Sequence, residues 1–390
     1  MSNESGYAPC HNSNVVFCPT RDRPEQLTKT ISALVRDIES GYCSNSQVLL
    51  IDDSTMPSAR EKNRNTATQG GPVTYHGPEE QRRFLDRMLQ SRVIDADADT
   101  LGRFVRWLGG KEWDLGGVRN YLAILGAALT ASDRSFIAMI DDDVELDGRS
   151  QENGRGSIEC LWEKLEHEEN CIVGGCLSGM PDISMVERAE LEFRKAEGLK
   201  AFELCKPPFP VSGGFLAYRQ KWLMRVPFPR SYNEDWIWLT GCSWRGAIVA
   251  RTNVQGTHAW SPMKHCKTSE LEREMMGEVL SSGLQLAHAS NAHIDDLCAT
   301  ARDLAFWQKM IRDEYKALDG RRYRLQEQMQ QKGITGKEWK IHDVMDCALK
   351  ILLYLNPERI KHQAQRYLRG IRLWEQLFQN VAPRTMSNIL

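Results

Sequence analysis

Short apolar runs alternate with amphipathic helical periods through the first third of the chain. Val15-Val16-Phe17-Cys18 leads through Pro19 and Thr20 into the polar loop Arg21-Asp22-Arg23-Pro24, and Leu27, Ile31, Leu34, Val35 and Ile38 then recur at helical spacing. Val48-Leu49-Leu50-Ile51 reads as a second buried strand that ends in Asp52-Asp53-Ser54-Thr55, and the polar stretch from there to about Gly77 reads as loop. Residues 79–92 predict a charged helix. Gly116-Gly117 opens another, with Val118, Leu122, Leu125 and Leu129 on one face, and it leads into the apolar run Phe136-Ile137-Ala138-Met139-Ile140. Strands alternating with helices imply an α/β fold with a mostly parallel sheet, whose ligands sit outside the carboxyl ends of the strands. The loops at Thr20, Asp52 and Asp141 are then expected to face one crevice.

After Ile172 the pattern is mixed. It includes Cys171-Ile172-Val173-Gly174-Gly175, a charged segment at 185–200, Val211-Ser212-Gly213-Gly214 with the apolar run after it, and an aromatic block from Tyr232 to Trp238. Beyond residue 268 the chain reads as helical, with pieces near 268–290, 292–330, 336–354 and 357–380, broken at Gly333, Gly336 and Asn356-Pro357. Two regions are expected: an α/β domain over 1–267 and a helical region over 268–390.

Composition narrows the class. A chain of 390 residues with 41% hydrophobic positions can bury a real core. No apolar stretch approaches the roughly 18 residues that a membrane span needs, and the polar first residues do not read as a secretory signal, so a cytoplasmic location is expected. Eleven scattered cysteines without a Cys-x-x-Cys pair suggest neither a disulfide framework nor a zinc ribbon. The net charge of −2 conceals an asymmetry: residues 301–390 hold 17 Lys+Arg against 10 Asp+Glu, and the rest holds 33 against 42. The basic tail, with Ile360, Tyr367, Leu368, Ile371 and Trp374 interleaved with arginines, fits three roles. It can lie on a membrane surface, approach nucleic acid, or pack on the catalytic domain or a second subunit, as apolar stripes usually do.

The chemistry concentrates in acids. Asp141-Asp142-Asp143 stand at the end of a strand buried on both faces, and three adjoining carboxylates repel one another unless a cation or solvent compensates them. Hard oxygen ligands suit Mg²⁺ or Mn²⁺ bound together with substrate phosphates; the plain alternative is a solvated acidic turn.

The order of these motifs over residues 13–266 resembles the GT-A glycosyltransferases, most of all family 2, the inverting nucleotide-sugar transferases. The resemblance rests on Cys18-Pro19-Thr20-Arg21-Asp22-Arg23, Ile51-Asp52-Asp53-Ser54, Gly117-Val118-Arg119-Asn120, Asp141-Asp142-Asp143 as the DxD motif, Ser212-Gly213-Gly214-Phe215, Asn233-Glu234-Asp235-Trp236 as the xED motif, and His258. It implies a Rossmann-like GT-A fold and a metal-dependent transfer from a nucleoside diphosphate sugar, most commonly a UDP-sugar, to an acceptor hydroxyl. By this resemblance Asp235 is the general base, with Glu234 beside it. Asp143 and His258 hold Mn²⁺ or Mg²⁺. Pro19, Thr20, Arg21, Arg23, Asp52, Asp53, Arg119, Asp141 and Asp142 line the donor site, and Gly213, Gly214 and Trp236 line the acceptor site. His265 competes with His258 as ligand. The acceptor stays open among glycan, lipid-linked, small-molecule and nucleic-acid compounds, and a homodimer is an open possibility.

Other readings differ in testable ways. A retaining transferase would share the metal site without needing Asp235, and a binding protein on the same fold would not turn over. A nucleotidyltransferase is opposed by the absence of a Gly-rich, lysine-bearing loop after the first strand.

Overall fold

The computed structural model describes residues 14–40, 46–68, 71–91, 100, 115–129, 135–146, 156–178, 183–200, 209, 211, 213–258, 267–290, 294–334 and 340–378. The order begins β1 (Asn14–Thr20), α1 (Pro24–Ser40), β2 (Ser46–Asp52), α2 (Pro57–Thr68), β3 (Val73–His76), α3 (Pro78–Gln90), α4 (Leu115–Leu129), β4 (Phe136–Ile140) and β5 (Val144–Leu146). It continues with α5 (Ser157–His167), β6 (Cys171–Ser178), α6 (Met185–Ala196), β7 (Phe215–Arg219), α7 (Glu234–Trp244) and β8 (Ile248–His258). The last helices are α8 (Thr268–Ser290), α9 (Ile294–Thr300), α10 (Leu304–Gln331), α11 (Lys340–Tyr354) and α12 (Pro357–Phe378).

The eight strands form one sheet in the order β3-β2-β1-β4-β7-β6-β8-β5. The half around β1 is parallel throughout, as the alternating pattern requires. Past β4 the sheet is mixed: β7 runs antiparallel to both β4 and β6, β8 is parallel to β6, and short β5 pairs antiparallel to β8. This α/β sheet with flanking helices and a helical C-terminal region is the expected fold class.

Two elements lie where the sequence reads as loop. Helix α2 starts with Pro57 at its first position and buries only Ala59, Asn63 and Ala67. Those residues share one face at i, i+4 and i+8, but two alanines and an asparagine give no hydrophobic stripe to read. Strand β3 is a four-residue edge added to β2 in the register Val48↔Val73, too short to show alternation. The helix expected over 292–330 is split at Ala301-Arg302, and the Asp303 carboxylate caps α10 by accepting from the Ala305 N–H. The stretch 101–114, within the long segment before Gly116, lies outside the described residues.

The C-terminal helices share one apolar core with the sheet. A single cluster of buried side chains runs from Val15 and Phe17 on β1 through Trp238 on α7 to Trp307, Tyr367 and Trp374. The Trp374 indole donates to Leu223 O at 2.9 Å and the Tyr367 hydroxyl donates to Ile237 O at 3.1 Å, fastening α12 to the α/β region. The apolar stripe of the basic tail is therefore packed inward: Ile360, Tyr367, Leu368, Ile371 and Trp374 are all buried. Among the described residues no helix is long and apolar enough to cross a membrane, and the seven cysteines are free thiols.

Because Trp374 is fully packed and its N–H is satisfied, Trp374→Ala should cost about 3–5 kcal/mol of stability, read as a lowered midpoint in urea unfolding.

Candidate active site

Three strand ends build one wall. Strands β1, β2 and β4 are parallel neighbours, so Thr20, Asp52 and Asp141 emerge on the same edge. The Thr20 hydroxyl donates to Asp142 Oδ2 at 2.7 Å, and the Asp53 N–H donates to Thr20 O at 3.0 Å. Asp52 is buried, and it spends both carboxylate oxygens inside the protein, on the Ser54 N–H (2.8 Å) and the Tyr75 hydroxyl (2.9 Å). Pro19 lies within β1, paired with Ile51. Arg21 is ion-paired with its neighbour Asp22 at 3.9 Å.

Asp22, which stands unremarked between the two arginines in the sequence, organises this loop. It adopts φ +55°, a left-handed conformation that aspartate tolerates better than most residues. Its carboxylate accepts from the N–H groups of Thr55 and Met56 and from the Thr55 hydroxyl, which ties the loop after β1 to the loop after β2. Desolvation, the largest single influence, pushes its pKa up, but those hydrogen bonds and the charge of Arg21 together prevail and hold it below the usual carboxylate value.

The acid triplet is divided among three sets of partners. Asp143 has two close partners: Arg23 Nη1 donates to Oδ2 at 2.8 Å and His258 Nε2 lies 3.1 Å from Oδ1. The pairing of β5 with β8 produces that second contact, because it sets His258 opposite Val144. Burial by itself would raise the pKa of Asp143, but the His258 hydrogen bond and the charges of His258 and Arg23 outweigh it and bring it down. Asp142 is more deeply buried, and although Arg23 stands at 3.3 Å its desolvation pushes the carboxyl up to about 7. Asp141 is also raised by burial, against the pull of Arg119.

Arg119, buried in the first turns of α4, joins this wall to the opposite one. It reaches Asp141 at 3.2 Å, Glu234 at 3.1 Å and the Gly213 carbonyl at 3.1 Å. Glu234 and Asp235 open α7 directly after Asn233, whose φ of +57° turns the chain, and the Asn233 amide donates to Glu278 Oε1 of α8 at 2.9 Å. Desolvation, increased by the neighbouring Asp235 and opposed by Arg119, pushes Glu234 up to about 8. Gly213 and Gly214 are required by close approach. A Cβ on Gly213 would stand 1.8 Å from Asp235 Oδ2, and one on Gly214 would stand 2.9 Å from Asp141 Oδ2.

Between these walls lies a cavity of about 190 Å³, with Asp141, His258, Gly213, Gly214, Asp235 and Trp236 among its lining residues. Trp238 belongs to the core, stacked on Phe228 at 4.6 Å between ring centroids. The structure thus brings Asp141, Glu234, Asp235, Gly213, Gly214, Trp236 and His258 to one opening, with Asp143, Arg23, Asp142 and Thr20 along its β4 side. His265 and Ser212 lie outside the described residues. Glu274 and Glu278, which also line the cavity, carry no sequence signal: acids four apart on a charged helix read as a solvated face.

Among the described residues no cluster of three or more histidine, cysteine, aspartate or glutamate side chains converges as a metal cage. What the site offers is a pair, Asp143 with His258, and His258 Nδ1 is buried without a hydrogen-bond partner. A hard carboxylate oxygen beside an imidazole nitrogen fits a divalent ion that takes its remaining ligands from phosphate and water.

No family model matches the chain, and no curated protein matches it. Among solved structures it is similar to glucosyl-3-phosphoglycerate synthase from Mycobacterium tuberculosis in complex with phosphoglyceric acid, at 14% identity and a TM-score of 0.42, over 69% of this chain and 78% of that one. A mannosyltransferase from Pyrobaculum calidifontis in complex with GDP-Man and Mn²⁺ matches at 12% identity and a TM-score of 0.41, over 96% and 90% of the two chains. TarS from S. aureus matches at 14% identity and a TM-score of 0.36, over 72% and 43%. These likenesses are too distant for the function to rest on them.

Two outcomes test this geometry. Gly213→Ala must displace Asp235 or the 213–214 turn and should cost about 1–3 kcal/mol, measured by thermal or urea unfolding. Glu234 holds its proton in the folded state at pH values where the unfolded chain has lost it. Its contribution to stability is therefore complete below about pH 4.5 and is lost as pH rises toward 8. Glu234→Gln should flatten that window, removing a slope of at most about 1.4 kcal/mol per pH unit, as seen in urea midpoints measured between pH 5 and pH 8.

Proposed function

We propose that the chain is a metal-dependent inverting glycosyltransferase that moves a sugar from a nucleoside diphosphate sugar, of the UDP type, to an acceptor hydroxyl. One observation carries the reading: Asp235 and the Asp141–His258 side line the same cavity, and two glycines leave the space beside Asp235 and Asp141 clear. Attack on an anomeric carbon from the face opposite the leaving group needs a proton acceptor on one side and positive charge on the other. Asp235 would be the acceptor, and the positive charge would come from a divalent ion together with Arg23.

On the donor side, Mn²⁺ or Mg²⁺ held by Asp143 and His258 would neutralise the charge that develops on the departing nucleoside diphosphate. The protein adds Arg23, whose guanidinium at 2.8 Å from Asp143 and 3.3 Å from Asp142 stands ready to exchange a carboxylate for a phosphate oxygen. Thr20 and Asp142 form the strand-end floor against which the nucleoside packs, with Asp53 beside it at the end of β2. Asp52 supports that floor through Tyr75 and Ser54.

On the acceptor side, Asp235 takes the proton of the attacking hydroxyl. Glu234, raised to about 8 beside it, stays protonated near neutrality and presents a donor, so the two adjoining acids divide the work of donor and base. Arg119 fixes Glu234 and the Gly213 carbonyl, and through them the position of Asp235. Trp236 adds an aromatic wall on which a sugar ring can stack. The C-terminal helices serve as structural support and cavity wall, with the region over 1–267 carrying the chemistry.

The test is a panel of nucleotide sugars with Mn²⁺, scored for release of free nucleoside diphosphate and for the anomeric configuration of the product. Asp235→Asn should lower kcat by about 10²–10⁴-fold with the donor KM nearly unchanged, and Asp143→Asn should remove the response to metal. Retention of anomeric configuration, or activity indifferent to Asp235, would sink the inverting mechanism.

A further inference from the structure

The cavity continues past Asp235 toward α6 and α8, and its far wall is acidic. Glu274 and Glu278 project from α8, and Met185 and Arg188 come from α6. Glu274 is 1% exposed. One of its oxygens accepts the Met185 N–H. The other, Oε2, is buried and makes no hydrogen bond of proper geometry, and burial pushes the carboxyl up to about 7 against the pull of the Met185 N–H, Arg188 and the nearby Tyr232 hydroxyl. A buried carboxylate oxygen left without a donor is costly unless a ligand brings one.

The charge balance indicates what the ligand should carry. Among the described lining residues, Asp141, Glu234, Asp235, Glu274 and Glu278 crowd Arg119, Arg188 and His258, and burial pushes Glu234 up to about 8, Glu274 up to about 7 and Glu278 well above the usual carboxylate range. Arg119 is committed to Asp141, Glu234 and the Gly213 carbonyl. Arg188 lies in the same lining as Asp235, Glu274 and Glu278, in a wall whose other members include Leu177, Ile183 and Met185 and therefore screen charge poorly. An anionic ligand would press these acids further toward their neutral forms, whereas a cationic one would favour their charged forms. A neutral hydroxyl gives Glu274 Oε2 a single donor, whereas an ammonium gives it a charged one and two more to share. At about 190 Å³ the space lies below the roughly 300–1,000 Å³ of pockets for larger ligands, so it takes one small group.

We propose that this far wall selects an acceptor that bears a protonated amine beside its hydroxyls, of the amino-sugar or amino-polyol class, with the ammonium donating to Glu274 Oε2. Calling that ligand the acceptor rests on the glycosyltransferase reading; the selectivity of the wall for an amine does not.

The experiment is equilibrium binding to the full chain by calorimetry, with glucosamine, glucose and glucuronate as probes, each with and without UDP and Mn²⁺. Glucosamine should bind about ten-fold tighter than glucose, and glucuronate should bind more weakly than glucose. In Glu274→Gln the affinities for glucosamine and glucose should converge while UDP binding stays as in the wild type. Equal affinities in the wild type, tighter binding of glucuronate, no detectable glucosamine binding, or an amine preference that survives Glu274→Gln would each overturn the inference. The wild-type ranking decides even if the variant fails to fold. Absence of an amine preference in the wild type with UDP binding retained counts against this inference alone, whereas failure of the wild type to bind any nucleoside diphosphate with Mn²⁺ counts against the transferase reading and leaves the ranking readable.

Discussion

The site depends on one buried guanidinium. Arg119 is 1% exposed, and a charge in that position is stable only if opposite charge and acceptors lie close by. Its partners come from three separate elements: Asp141 just past β4, the Gly213 carbonyl just before β7, and Glu234 at the start of α7. Because the desolvation cost of Arg119 is offset only when all three are in place, the arginine holds the edge of the sheet, the glycine turn and the first turn of α7 at fixed separations. The cavity is the space left between them. Asn120, the next residue, adds a second clamp by exchanging hydrogen bonds with the Phe228 backbone in both directions, at 2.8 Å and 2.6 Å.

With Arg119 committed in this way, the acids around it take on different characters. Asp141 and Glu234 both lie against it, and Glu234 keeps its proton near neutrality. Asp142, which Arg119 does not contact, leans toward its neutral form. Asp143, at the outer end of the triplet, is held in its charged form by Arg23 and His258. Three consecutive aspartates thus reduce their mutual repulsion by facing three environments, and Asp143 ends up beside His258, the only histidine among the described residues lining the cavity. The same logic extends to α8, where Glu278 secures Asn233 and so the entry to α7, while Glu274 keeps an oxygen for a ligand.

The C-terminal helices are integral to this arrangement. Gly277 of α8 packs so closely under Tyr232 that a Cβ there would stand 2.7 Å from its carbonyl oxygen. Arg321 of α10 pairs with Glu187 and with Glu190 (2.8 Å) of α6. The basic surplus of the tail is thereby spent in part on acids of the α/β region, which is why its charge asymmetry does not by itself mark a surface for membrane or nucleic acid.

Local sequence determined the elements and the acids. Apolar runs without breakers fixed β1, β2 and β4, helical periodicity fixed α1 and α4, and Gly333 and Asn356-Pro357 marked real helix ends, because burial pattern and backbone stereochemistry act over a few residues. It also placed Thr20, Asp52, Asp141–143, Gly213, Gly214 and Glu234-Asp235 at element ends. It left α2 and β3 hidden, since one buries only small residues and the other is a four-residue edge. Tertiary structure alone decided which acids stay charged, that His258 meets Asp143 through an antiparallel pairing about 115 residues distant in sequence, and that Glu274 and Glu278 turn inward rather than to solvent. Those outcomes depend on desolvation and on partners from remote segments, and no local pattern encodes either.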